Sequence, residues 1–366
     1  MTAAGHKSDR RQFLQQAAIV GAVAGLAHAT PASASERFRW KMTTTWPPAF
    51  PVLQEACDTF AATLNTITEQ QLQLKVFAGG ELVPPLATFD VVSSGALEMG
   101  VGAAYYWTGK VPAAGFFCAL PFGMSGQQFH AWLYGGGGME LWRELYAQYD
   151  LVPLIFGNTG VQMAGWFRRE INALSDLQGL KMRIPGYGGK VMAALGVNVV
   201  LLPGAEIYTA LERGTIDAAE WVSPYHDERL GLYRAAPYYY YPGWQEPCAA
   251  LELIIHRPAW ERLPRRIQAA VEGAAAQAHI WTSSTLDALN GPALARLTSS
   301  HGAKLRKLPD DVLSALRKTA TEVIAEIGGD DRVSKKIRES YLDFRQRSEQ
   351  WFEVSEQAMA KAQALG

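Results

Sequence analysis

A few polar side chains stand in apolar stretches that offer them little solvation. Arg183 follows the strand-like Leu180-Lys181-Met182 and precedes Ile184-Pro185-Gly186. A guanidinium at a strand end can take a carboxylate through two parallel hydrogen bonds. On spacing alone, an ion pair with Glu206 or Asp217 is the simpler use. Asn158 and Gln162 bracket Thr159-Gly160 in a segment with few charges. Glu220 stands just before Trp221 at the end of an apolar run, where a carboxylate is costly unless paired or bound to a cation. Gln245 lies in Gly243-Trp244-Gln245-Glu246-Pro247. Aromatics crowd the neighbouring segments, which read as loops: Trp46 and Phe50, Tyr105 to Trp107, Trp221 and Tyr225, and Tyr238 to Tyr241 with Trp244. Such residues can wall a small-ligand cleft. Packing between two lobes is their other use.

Catalytic constellations are missing. There is no GxSxG, HExxH or Walker loop, and no zinc spacing. Gly135 to Gly138 lacks a strand–turn–helix context and reads as a flexible turn. His226 and His256 are isolated, and Asp227-Glu228 reads as a solvated helical face. Cys57, Cys118 and Cys248 are far apart; an oxidising compartment permits one disulfide with one thiol left over, but all three are expected to be buried and reduced. The residues make no positive case for an enzyme.

The elements that must position these groups alternate. Strands are predicted at 38–45, 72–77 and 97–102, with helices over 52–64 and from Pro84-Pro85 to 93. Strands follow at 162–167, 181–184, 197–202 and 215–219, with helices over 188–195 and 204–213. This alternation argues for α/β sheets with parallel pairs. The helix–glycine–strand junction at Gly95 recurs at Gly214, suggesting two lobes built on one plan. Helices are predicted over 258–289, 309–327 and, as one long charged helix, 333–364. That last helix either lies along its own lobe or makes a dimer contact.

The N-terminus bounds the compartment. Arg10-Arg11-Gln12-Phe13-Leu14, an uncharged stretch from Ala17 to Ala27, and Ala32-Ser33-Ala34 make a twin-arginine export signal over residues 1–34. Lys7, Arg10 and Arg11 against Asp9 give that signal +2, so the chain's −1 leaves about −3 for the remainder. That charge is no nucleic-acid footprint.

Several runs resemble the solute-binding proteins of tripartite ATP-independent periplasmic (TRAP) transporters. They are Lys181 to Gly186, Leu202 to Ala218 and Glu220 to Pro224. Gly157 to Phe167 and Ala104 to Lys110 look most like the branch that binds 2-oxo acids or lactate. The resemblance implies a two-lobed periplasmic-binding-protein fold with crossing strands, a hinge and a long C-terminal helix. Lobe I is expected at 35–157 with part of 246–330, lobe II at 158–245, and the C-terminal helix at 331–366. It implies that Arg183 pairs with the ligand carboxylate, with Asn158, Tyr105, Trp221 and Gln245 as further ligand contacts. It also implies a bridging cation, Na+ or alternatively Ca2+, held by Gln162, Glu220 and the Trp221 carbonyl. The expected ligand is a 2-oxo monocarboxylate such as pyruvate. The expected partners are TRAP membrane subunits and a second copy of the chain, in the periplasm. Lactate or another 2-hydroxy acid, a ligand-sensing module and a secreted enzyme acting on a small acid are the alternatives.

Overall fold

The computed structural model describes residues 36–329 and 331–365. The export signal predicted over residues 1–34 lies outside them. Apolar spacing that switches between periods of two and 3.6 folds as it reads. β1 (Phe38–Thr44), α1 (Leu53–Ile67), β2 (Leu72–Phe77), α2 (Thr88–Ser93) and β3 (Met99–Gly102) follow in turn. α3 (Gly126–Gly135) and α4 (Gly138–Ala147) flank the glycine run, which turns the chain between them. β4 (Leu151–Asn158) completes this part.

The chain then crosses to a second sheet. β5 (Gly165–Phe167), β6 (Lys181–Arg183), α5 (Gly186–Ala194), β7 (Asn198–Val200), α6 (Gly204–Glu212), β8 (Ala218–Ala219), α7 (Pro224–Leu230) and β9 (Tyr238–Tyr241) build it. β10 (Ala250–His256) returns to the first sheet, followed by α8 (Arg257–Glu261) and α9 (Arg265–Ser299). β11 (Lys304–Lys307), α10 (Asp310–Ala325), α11 (Arg332–Val354) and α12 (Glu356–Gln363) close the chain.

The first sheet has the order β2-β1-β3-β10-β4, the second β11-β9-β5-β8-β6-β7. Both are mixed rather than parallel. β1–β3 and β6–β8 run parallel, but β10 is antiparallel to β3 and β4, and β5 to β8 and β9. The antiparallel members are the strands by which the chain changes sheets, and a crossover strand enters from the opposite end. Each sheet with its helices is one lobe. β11 joins the second sheet, and Val312, Leu316 and Ala320 of α10 share that lobe's core with Phe167, Met182 and Val191. α9 packs on β4 and α1 of the first lobe and on α7 of the second. Val52, Tyr225, Leu286 and Ala293 make the small apolar cluster where these meet. The two recurring glycines both take left-handed backbone, Gly95 at φ 74° and Gly214 at φ 70°. A side chain there is strained, which is why a glycine stands at each junction.

Three expectations change. The helix predicted over 258–289 is broken before Pro264, which caps α9, and then runs on through Asn290-Gly291-Pro292. Tertiary burial of Ala293 and Leu297 outweighs that stop signal. Tyr238–Tyr241 is the strand β9 rather than a loop. The long C-terminal helix is two helices: the Ser355 hydroxyl bonds back to the Trp351 carbonyl, and the backbone turns at φ −111°, ψ −94°. α11 lies along its own first lobe, with Tyr341 donating its place to a buried contact: its hydroxyl accepts from the Met124 N–H, while Ser340 accepts from Trp132 Nε1.

Candidate functional site

Arg183 ends β6, and β6 pairs with β8 so that Arg183 lies opposite Ala219. Glu220 follows directly after β8. Parallel register therefore brings together two side chains 37 positions apart, a pairing that chain spacing concealed. Arg183 Nη1 donates to the Glu220 carbonyl at 2.6 Å and to its Oε2 at 3.2 Å, while Nε donates to the Leu202 carbonyl at 3.2 Å. Neither Glu206 nor Asp217 is its partner; Asp217 Oδ2 accepts instead from the Lys181 N–H. The guanidinium also lies 5.2 Å from the centre of the Trp221 ring. The pair is sealed, with side chains 1% and 0% exposed.

Two other segments complete the cluster. The Gln162 N–H donates to the Glu246 carbonyl at 3.1 Å, and the Met163 N–H to the Val222 carbonyl at 3.0 Å. Gln245 Nε2 donates to the Met163 carbonyl at 2.8 Å. Gly243 lies so close to the Gln162 carbonyl that no Cβ fits between them. Residues 162–163, 220–222 and 243–246 are thus stitched into one wall. Tyr105, on a short 3-10 turn of the first lobe, is buried against it. Burial and then the Glu246 charge push the Tyr105 hydroxyl up, and that hydroxyl opposes the rise at Glu246.

Glu246 was not singled out from the sequence, although Gly243 to Pro247 was. The desolvation argument applied to Glu220 applies equally to it, since both lie in aromatic, weakly charged surroundings. Burial pushes both carboxyls up, the Glu246 charge adds to the rise at Glu220, and Arg183 opposes both. Two buried carboxyls thus lie in the field of one guanidinium, which is ion-paired with Glu220 alone.

Six polar atoms in this cluster are buried without a hydrogen-bond partner: Arg183 Nη2, Trp221 Nε1, Glu220 Oε1, Gln162 Oε1, Gln245 Oε1 and Glu246 Oε2. Buried polar atoms are costly unless satisfied, so a concentration of six marks a site built to satisfy them with something else. Two are N–H donors, of which the guanidinium edge suits a carboxylate. Four are oxygens, the donor chemistry that hard cations take. Gln162 and Glu220 fit Na+ or Ca2+ on that ground, and among the hydrogen bonds of the described residues none ends on the Trp221 carbonyl, which leaves it open to such an ion. No group of three or more His, Cys, Asp or Glu with metal-holding geometry occurs among the described residues. The oxygen set here draws on amides.

The other candidates are placed differently. Asn158 is buried at the end of β4, but its amide is engaged by its own surroundings. Its Oδ1 accepts from the Gly160 N–H at 2.7 Å, and its Nδ2 reaches Cys248 Sγ at 2.9 Å and His130 Nε2 at 3.2 Å. Asp227 is no solvated face: it is fully buried and takes three donors. His226 is buried and packed on Phe50, with its pKa lowered to about 4 by burial, and its Nε2 lies 3.0 Å from the Pro51 carbonyl. The three cysteines are free and buried, as expected. A surface groove of about 590 Å3, lined by Val111, Tyr149, Lys190, Val323 and Ile327, holds none of the site residues.

A sealed pair of opposed charges on the second sheet, closed over by Tyr105 of the first lobe in a two-lobed α/β protein, is the arrangement of a ligand-capturing protein. The chain belongs to the bacterial extracellular solute-binding proteins of family 7, whose profile matches residues 42–330. It is 43% identical over 353 residues to the monocarboxylate 2-oxoacid-binding periplasmic protein of Nostoc sp. strain PCC 7120, covering 95% of this chain and 96% of that one. The TRAP transporter solute-binding protein of Bordetella bronchiseptica, a dimer with copurified calcium and picolinate, superposes with TM-score 0.88 at 38% identity, over 90% of this chain and 98% of that one. The TRAP periplasmic solute-binding protein of Pseudoalteromonas atlantica, with bound sodium and pyruvate, gives TM-score 0.86 at 40% identity, over 89% and 99%. Family membership makes this chain an extracytoplasmic binding protein of a TRAP transporter and not an enzyme.

Proposed function

We propose that this protein captures 2-oxo monocarboxylates such as pyruvate between its lobes, together with Na+ or Ca2+, and delivers them to TRAP membrane subunits. The carrying observation is the sealed cluster in which Arg183 pairs with Glu220, with Glu246 beside them, and six polar atoms lack partners. The relatives that bind pyruvate or other 2-oxo acids support the ligand class.

Arg183 holds the ligand carboxylate through its free Nη2 edge. Gln162, Glu220 and the Trp221 carbonyl would hold the cation, which would supply the positive charge that balances the second carboxylate beside the ligand. Gln245 and Tyr105 orient the acid, and Asn158 fixes the Thr159-Gly160 crossing on which Gln162 is mounted. Closing the lobes excludes water and strengthens each charge contact. The lobes are 35–157 with part of 246–330, and 158–245, to which β11 and α10 attach. Residues 1–34 are the export signal that places the protein in the periplasm. Two copies pair through the apolar side chains of α11 and α12.

Titration of dialysed protein with pyruvate, followed by tryptophan fluorescence, tests the reading. Saturable quenching that requires Na+ or Ca2+ is expected, with lactate as competitor ranking 2-oxo against 2-hydroxy acids. Absence of binding in every buffer, with a sugar or amino acid bound instead, overturns the ligand assignment. Arg183→Ala and Glu220→Ala are expected to fold and lose binding.

A further inference from the structure

The carboxylate of Asp227 meets three donors. Trp166 Nε1 donates to Oδ2 at 3.0 Å, the Tyr239 hydroxyl to Oδ2 at 2.7 Å, and the Val222 N–H to Oδ1 at 3.2 Å. An ionised carboxylate is acceptor-only, so three donors suit the charged form. Trp166 and Tyr239 are themselves fixed. They face each other across β5 and β9 and stack with ring centres 3.9 Å apart. Asp227 is therefore a rigid acceptor, buried one turn into α7.

The third donor connects it to the site. A peptide unit is planar and trans, so its N–H and C=O point in opposite directions. Val222 N–H and the Trp221 carbonyl belong to one such unit. Anchoring the N–H on Asp227 fixes the carbonyl to point away from Asp227. The flanking carbonyls are already spoken for: Glu220 O accepts from Arg183 Nη1 at 2.6 Å, and Val222 O from the Met163 N–H at 3.0 Å. Among the hydrogen bonds of the described residues, none ends on Trp221 O.

We infer that Asp227 is a positioning residue for cation capture, aiming the Trp221 carbonyl at the ion through the Trp221–Val222 peptide. The inference rests on the reading of the site above, in which that carbonyl is a cation ligand. Two effects act together. The anchored N–H holds the oxygen in place before the ion arrives, so no backbone freedom is lost on binding. A carboxylate behind the N–H also polarises the peptide and adds negative charge to the carbonyl oxygen, as outer carboxylates do for metal ligands elsewhere.

The test compares Asp227→Asn with Tyr239→Phe in the mature protein. Na+ and Ca2+ are each titrated by calorimetry at fixed pyruvate, and melting temperatures are taken without ligand. Asp227→Asn is expected to weaken apparent cation affinity roughly 10–100-fold, with pyruvate binding restored at saturating cation. Tyr239→Phe removes one donor from the same carboxylate but keeps the Val222 bond, so its cation affinity is expected to match wild type even where its melting temperature falls. Should Asp227→Asn not fold, Asp227→Glu carries the test, because it keeps the charge but displaces the Val222 bond and is expected to show the same loss. Wild-type cation affinity in the Asp227 variant, or an equal loss in Tyr239→Phe, overturns the positioning role. Pyruvate binding by wild type without any cation is a different failure, one that removes the cation reading itself.

Discussion

Arg183 divides its donors between structure and ligand. Nε and Nη1 are spent on Leu202 and Glu220, and Nη2 remains. Lysine keeps the charge but cannot hold that fork, so Arg183→Lys is expected to lose about 2–5 kcal/mol of pyruvate binding, roughly one and a half to three and a half decades in Kd. Calorimetry on dialysed protein checks this, with circular dichroism showing the fold intact. Glu252 gives a second expectation, away from the site. It is buried in β10, where it accepts from Trp107 Nε1 at 2.6 Å and the Tyr146 hydroxyl at 2.9 Å. Burial outweighs those bonds and pushes its pKa up to about 8. The folded state thus holds this proton more tightly than the unfolded chain, whose glutamates titrate near 4.3. Its contribution to stability is complete below the unfolded value and is lost as pH rises through about 8. Melting curves from pH 5 to 9 are expected to fall less steeply for Glu252→Gln than for wild type. Arg183, Glu220 and Gln162 could be read from the sequence because a polar group in an apolar run advertises its own desolvation. Asp227 could not, because its burial depends on Trp166 and Tyr239 arriving from distant strands.

Elements were legible where their stability is local. β2 falls on its predicted residues because its alternation is regular, whereas β4 is buried along its whole length and shows no alternation to read. The pairing of β6 with β8 is likewise invisible in a single chain, yet it alone places Arg183 beside Glu220. The environment changes along α11 before the break at Ser355. Ile337 and Tyr341 are buried on the first lobe, whereas Trp351 in the last turn of α11 is 68% exposed and Met359 on α12 60%. Large apolar side chains spaced along the exposed end of α11 and α12 suit a second copy better than water. Trp351→Ser with Met359→Ser is expected to shift the sedimentation coefficient from dimer to monomer while pyruvate affinity stays unchanged. Wild-type protein that sediments as a monomer at every concentration removes the dimer assignment.

Closure of the whole molecule depends on surfaces that meet only when the lobes meet. Gly115 lies on a 3-10 turn of the first lobe, and the Tyr187 ring, carried on α5 of the second, occupies the space a Cβ at 115 needs. The Tyr187 hydroxyl donates to the Pro112 carbonyl on the same turn. Gly115 has no left-handed backbone to explain it, so its glycine is a requirement of the neighbour across the cleft. Alanine there is compatible with the first lobe alone and obstructs only the closed arrangement. Overpacking of this kind costs about 1–3 kcal/mol. A protein whose binding-competent state is less populated shows a proportionally weaker apparent affinity. Gly115→Ala is therefore expected to raise the Kd for pyruvate about 5- to 150-fold, without lowering the melting temperature of the ligand-free protein. Tyr187→Ala removes the obstacle, so in that background Gly115→Ala is expected to have little further effect. This non-additivity is the signature of a direct contact. Equal losses from Gly115→Ala in both backgrounds place its effect within the first lobe and remove the contact from the closing mechanism.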